Sequence, residues 1–317
     1  TLLPYLMGAR ELKTKPTQAS VRELRSIGLQ PDIILARADY PIKKELLNKI
    51  ALFCDIDKNA VIPAPTVQSI YFVPTNYAEY NVHKLLAKKL GLGKIKPNLK
   101  QWENLNEKIK AKKELLRIAL IVKYSGLDDA YLSVIESLKI ACYHQNRELE
   151  LDWINAEKLE EKDKKTLENL KKADGILVPG GFGIRGTEGK ILAARYAREN
   201  KVPYLGICLG MQLMCIEYMR YLTGDEKYTS EEFDESGHLG SKYHVINFLP
   251  SQYKERDKGG TLRLGAYPCK LKPHTLAQKL YGKKTIQERH RHRYEFNNKM
   301  KIKLENGGLI SSGIFIK

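Results

Sequence analysis

Apolar and polar positions divide this chain into alternating strand-like and helix-like stretches. Residues 116–122, Leu-Arg-Ile-Ala-Leu-Ile-Val, are almost continuously apolar, as are residues 175–178 and 203–207. Runs of that length read as strands buried on both faces. Residues 149–154 form a further strand candidate. The intervening segments 131–143, 158–172, 187–200 and 209–222 repeat apolar positions at helical spacing. Strands alternating with helices predict an α/β fold with an open, mostly parallel sheet, in which ligands sit at the carboxyl ends of the strands. After residue 225 the pattern is irregular, with short strand candidates at 245–248 and 261–264. Upstream, residues 20–27, 43–53 and 82–90 read as helices, the first closed by Gly28 and the last ended by Gly91. Residues 31–36 read as a strand. Residues 92–113 are rich in lysine, contain Pro97 and lack a sustained apolar period. They read as a linker with some helix.

Two glycine-flanked turns carry candidate chemistry. Gly206-Ile-Cys208-Leu-Gly210 joins a short strand to a helix in G-x-C-x-G form, the thiol version of a nucleophile elbow. A Cβ on either glycine would collide with backbone, and the helix start is expected to lower the Cys208 pKa. The strand 175–178 runs into Pro179-Gly-Gly-Phe-Gly-Ile-Arg185-Gly186, whose backbone N–H groups suit an oxyanion hole together with the Leu209 N–H. This is not a G-x-x-x-x-G-K-[ST] phosphate loop, and Lys190 is misplaced for that role. The pairing points to acyl transfer through a thioester. A thiol nucleophile needs a base. Of the seven histidines, His290 and His292 lie near carboxylates, but their alternation with arginines suggests an anion-holding strand instead.

Composition narrows the setting. With 317 residues the chain can hold two cores, and no run of about 18 apolar residues suggests a membrane span. Five scattered cysteines without C-x-x-C spacing argue for a reducing, cytoplasmic setting and against a disulfide framework. The net charge of +17 comes from 54 basic residues mixed with 37 acidic ones. With no nucleic-acid-binding motif, this reads as a solvated basic surface with a few phosphate-binding positions. The chain opens Thr-Leu-Leu-Pro and stops inside a strand candidate, and so reads as a piece of a longer protein.

Four motifs together resemble the CTP synthase family: Pro179-Gly-Gly-Phe-Gly-x-Arg185-Gly186-x-Glu188-Gly189, Gly206-Ile-Cys-Leu-Gly-Met-Gln212, Gly259-Gly-Thr-Leu-Arg-Leu-Gly265 and Glu288-Arg-His-Arg-His-Arg-Tyr-Glu295. Lys13-Thr-Lys15-Pro-Thr-Gln18 and Asn48-Lys49-Ile-Ala-Leu-Phe-Cys54 are similar to the end of that family's synthetase domain. The resemblance implies three regions. Residues 1–93 would be the C-terminal part of a P-loop-type α/β amidoligase domain and 94–115 a linker. Residues 116–317 would be a class I glutamine amidotransferase domain, C-terminally incomplete.

The implied activity is ATP-dependent amination of UTP to CTP, with ammonia from glutamine, in pyrimidine biosynthesis. It implies Cys208 as nucleophile; Gly180, Gly181 and Leu209 as oxyanion and glutamine contacts; and Gln212, Glu232 and Arg293 for the glutamine amino-acid end. It further implies Lys13, Thr14, Lys15, Gln18 and Lys49 for UTP, or CTP as feedback inhibitor. Val67 would meet ATP, and Phe182 and Arg185 the allosteric activator GTP. Mg2+, a homotetramer and filaments are implied as well; nucleic acid and membrane are not. The family's phosphate loop, magnesium carboxylates and late F-H-P-E-F-like segment with the triad His and Glu do not occur in this sequence. These 317 residues are therefore expected not to make CTP alone. The residues also admit another class I amidotransferase or related cysteine peptidase, and a catalytically incomplete regulatory or filament copy.

Overall fold

The computed structural model describes residues 1–123, 128–234, 236–249 and 263–315. The chain forms two compact units, Thr1–Lys112 and Lys113–Lys317. In the first, a hairpin of β1 (Tyr5–Leu6) and β2 (Glu11–Leu12) leads into α1 (Lys15–Ser26), β3 (Ile34–Ala38), α2 (Lys44–Cys54) and β4 (Val61–Pro65). Pro16 sits in the first turn of α1, where a missing N–H is harmless, and Gly28 turns away at φ +86°. β3 and β4 pair in parallel, from Ile34 opposite Val61 to Ala38 opposite Pro65. Leu3, Val21, Ile34, Ala36, Ile50 and Cys54 close the core between this pair and the two helices. Then come α3 (Val73–Glu79), α4 (Val82–Lys89) and α5 (Lys100–Lys110), the last inside the lysine-rich stretch.

The second unit is built on β5 (Glu114–Val122), α6 (Leu132–His144), β6 (Arg147–Asn155), α7 (Ala156–Glu160), α8 (Lys164–Lys171), β7 (Gly175–Val178), α9 (Thr187–Asn200), β8 (Tyr204–Gly206) and α10 (Leu209–Thr223). Its strands lie in the order β6-β5-β7-β8, all parallel, as the sequence pattern predicts. Alternation along β5 splits the core. Ala119 and Ile121 meet Leu159, Leu170 and Ala193 on one face. Leu120 and Val122 meet Tyr131 and Leu177 on the other, with α6. Beyond α10 come β9 (Thr229–Ser230), β10 (His244–Phe248), β11 (Arg263–Leu271), α11 (Leu276–Tyr281), β12 (Thr285–His292), β13 (Tyr294–Phe296), α12 (Lys301–Asn306) and β14 (Gly313–Phe315). These strands form two three-stranded sheets, β13-β10-β9 and β12-β11-β14. α10 buries Leu209, Leu213, Ile216 and Met219 against Val245, Ile246 and Tyr294. Full burial of such a side chain stabilises by about 1.5–3 kcal/mol.

Two expectations are corrected. Residues 158–172 are not one helix. Lys162 takes a left-handed φ of +57°, and Asn155 and Asp163 each cap a separate helix, accepting the Glu157 and Thr166 backbone N–H groups. The strand at 203–207 is not buried throughout, since β8 is outermost of the four and leaves Leu205 56% exposed. The strand candidate at 261–264 and the Gly259–Gly265 motif lie partly outside the described residues, which resume at Arg263 where β11 begins. Among the described residues no helix is long and apolar enough to cross a membrane.

Candidate active site

The site gathers where β7 and β8 end. At the elbow between β8 and α10, Cys208 adopts φ +51° and ψ −108°, a conformation that side chains rarely take. Its neighbours enforce it. A Cβ on Gly206 would lie 2.4 Å from the Gly210 carbonyl carbon, and one on Gly210 would lie 2.1 Å from the Val178 oxygen. Both glycines are therefore required by close backbone approach. The Ile207 N–H donates to the Val178 carbonyl at 2.9 Å, and the Tyr204 hydroxyl donates to the Gly210 carbonyl at 2.9 Å. The elbow is thus tied into the sheet on both sides.

The glycine-rich loop after β7 lies against the thiol. A Cβ on Gly180 would be 3.4 Å from the Cys208 Cβ, and one on Gly181 would be 3.4 Å from Leu209 Cδ2. The Lys123 ammonium, at the end of β5, donates to the carbonyls of Phe182 at 2.7 Å and Gly183 at 2.6 Å. The Glu232 carboxylate accepts the Gly183 N–H at 2.7 Å. Glu231 turns the other way and accepts the Phe248 N–H at 2.8 Å. Arg185 pairs with Glu157 of α7 at 2.7 Å, while Phe182 is 52% exposed. α9 continues the loop. Its Gly189 packs so closely on α7 that a Cβ would fall 1.8 Å from the Ala156 oxygen. Glu188 in its first turn meets Arg220 of α10 through two hydrogen bonds, at 2.7 and 3.0 Å.

Gln212 is buried and donates to the Tyr294 carbonyl at 3.3 Å. Arg293 is buried between β12 and β13, where its carbonyl accepts the Leu249 N–H. The Cys208 sulfur lies 3.9 Å from the Arg291 carbonyl of β12. His290 and His292 are not aimed at the thiol as a base. Their rings hydrogen-bond each other at 2.8 Å, and His292 Nδ1 meets the Tyr294 carbonyl at 2.8 Å.

The expected depression of the Cys208 pKa is overturned. Burial pushes the thiol up, and Glu232 adds to this, while the Leu209 N–H and Lys190 pull it down. The helix start acts in the expected direction but is outweighed by desolvation. Sequence reasoning missed Lys123 as a loop clamp and set Lys190 aside, although both are buried here. A lone lysine ending an apolar strand was the available sign for Lys123.

In the first unit, Lys13 pairs with Glu11, and Lys49 lies close enough to help hold the Glu11 carboxyl low. Thr14 is buried and accepts from Gln18 Nε2 at 3.1 Å, while Lys15 begins α1 on the surface. Val67 lines a cavity of about 240 Å3 with Arg37, Thr66, Asn76 and Tyr77. Asn76 Oδ1 is buried without a hydrogen-bond partner among the described residues.

Comparison with known proteins agrees with this geometry. The family profile described as Glutamine amidotransferase class-I matches residues 127–313, and the CTP synthase N-terminus profile matches residues 1–92. A CTP synthase of Dehalococcoides mccartyi is 51% identical over 314 residues, covering 99% of this chain and 57% of that protein. One of Carboxydothermus hydrogenoformans is 52% identical over 315 residues, with the same coverages. The solved glutaminase domain of Trypanosoma brucei CTPS, with bound acivicin, is 33% identical with a TM-score of 0.58. That match covers 63% of this chain and 75% of the other. The chain thus spans little more than half the length of the curated relatives it matches. It belongs to the class I glutamine amidotransferases, in the CTP synthase family.

Proposed function

We propose that this chain is the glutaminase domain and adjoining synthetase region of a protein that aminates UTP to CTP, the closing step of pyrimidine synthesis. The observation that carries the reading is the strained Cys208 elbow, set against Gly180 with the Leu209 N–H on its sulfur. The Cys208 sulfur would attack the carboxamide carbon of glutamine, and the Leu209 N–H and the Gly180–Gly181 backbone would hold the oxyanion. Ammonia leaves, and water then releases glutamate from the thioester. Glu232 suits the glutamine ammonium, Arg293 its carboxylate and Gln212 the wall between them. The base that takes the thiol proton is assigned to the family's F-H-P-E-F-like segment, which this sequence does not contain.

In the first unit, Lys13, Thr14, Lys15, Gln18 and Lys49 are assigned to the UTP triphosphate, and to CTP as feedback inhibitor. The cavity at Val67 is assigned to the adenine of ATP. ATP bound there would supply the activation of the uracil ring. Among the described residues no three His, Cys, Asp or Glu side chains gather as a metal site, and the Mg2+ that would accompany ATP is assigned to the family's magnesium carboxylates, which this sequence does not contain. Exposed Phe182 and neighbouring Arg185 are assigned to GTP. A homotetramer, filaments and a cytoplasmic location complete the proposal.

The test uses an electrophilic glutamine analogue and intact mass. One adduct on the Cys208 peptide, suppressed by glutamine, is expected. Labelling that ignores glutamine refutes the glutaminase reading. UTP binding that survives Lys15→Ala unchanged refutes the nucleotide assignment.

A further inference from the structure

Lys190 stands in the first turn of α9 and is 0% exposed. Its Nζ has no hydrogen-bond partner among the described residues. It lies beneath the glycine-rich loop, 3.9 Å from where a Cβ on Gly181 would sit, as does Lys123 Cε. The two lysines differ in kind. Lys123 spends its ammonium on two loop carbonyls, whereas Lys190 reaches the same place and bonds to nothing described. An ammonium buried without a partner is expensive, so a purely structural lysine here would do better as methionine.

The charged groups around it narrow its role. Lys123 opposes its charge and Cys208 favours it, and Lys190 in turn lowers the Cys208 pKa. Glu232 acts on Cys208 and on Lys123, while Arg185 and Glu157 act on Lys123. Among the described residues, the thiolate of Cys208 is therefore the neighbouring anion that gains from an unspent cation at this point.

We infer that Lys190 is a positioning residue whose buried ammonium, beneath the loop at Gly181, favours the thiolate form of Cys208 over what its burial alone would allow and keeps that loop receptive to an oxyanion. This rests on Cys208 being the glutamine nucleophile. Burial brings Lys190 down to about 8, so its charge, present at neutral pH, is lost as the solution turns alkaline. Thiol and amine then titrate as a coupled pair.

The experiment is alkylation of the 317-residue protein by iodoacetamide across pH, following the Cys208 peptide by mass spectrometry. Lys190→Met is expected to shift the profile to higher pH. The rate at neutral pH should fall about tenfold, with the alkaline limit unchanged. Superimposable profiles of parent and variant would overturn the inference while leaving Cys208 as nucleophile. A Cys208 inert at every pH in the parent would sink both. Should Lys190→Met fail to fold, the parent profile decides: two inflections are expected, and a single one overturns the coupling.

Discussion

Glu232 binds Gly183: its carboxylate accepts that backbone N–H at 2.7 Å, across 49 residues of sequence. One side chain thus shapes the glycine-rich loop and brings negative charge beside Cys208. Glu232→Gln should keep the acceptor and lose the charge. Its half-saturating concentration of glutamine analogue is expected to rise about tenfold or more, with little change in maximal labelling rate. Equal saturation curves for parent and variant would contradict the assignment.

Lys123 holds the loop from the opposite side. Replacing it by methionine leaves the Phe182 and Gly183 carbonyls without their donor, at a cost of about 2–4 kcal/mol. Urea denaturation should show a lower midpoint with an unchanged slope.

Arg198 and Glu217 join α9 to α10. Glu217 is buried, and Arg198 meets it at 2.8 and 3.1 Å. Arg198→Ala strands that carboxylate and should cost about 3–5 kcal/mol. Arg195 is more exposed and only reaches Glu217 at 4.0 Å, so Arg195→Ala should cost under about 1 kcal/mol. Thermal melts of the two variants would show whether the ranking holds.

Gly210→Ala would drive a methyl into the Val178 carbonyl. Loss of analogue labelling together with a lower melting temperature is expected. Full labelling would mean the elbow can open without consequence.

Lys190 ties stability to pH. Its native pKa, about 8, lies below that of a free lysine, so the unfolded chain binds the extra proton. Stability is therefore reduced below about pH 8 and recovers as pH rises toward the unfolded value near 10.4. Lys190→Met should be more stable than the parent by on the order of 3 kcal/mol at neutral pH, the gap closing in alkali. A pH-independent gap would mean that the native fold does not lower the Lys190 pKa.

The frame was legible where chemistry is local. Residues 116–122 could only be a doubly covered strand, and the glycines around Cys208 announced a close approach. Reading failed where distant groups decide. The break at Lys162 depends on caps at Asn155 and Asp163 that a charged helical pattern conceals. The thiol's upward shift depends on burial, not on its helix. Lys123 and Lys190 converge from separate elements, and nothing in either local sequence says so.

The left-handed backbone at Cys208 bears on the choice of an inactive control. Alanine or serine at that position would keep the strain, about 1–3 kcal/mol, while discarding the thiol. Glycine alone would release it. A Cys208→Gly protein should thus be both silent and sturdier than its parent, and the better reagent for trapping bound glutamine.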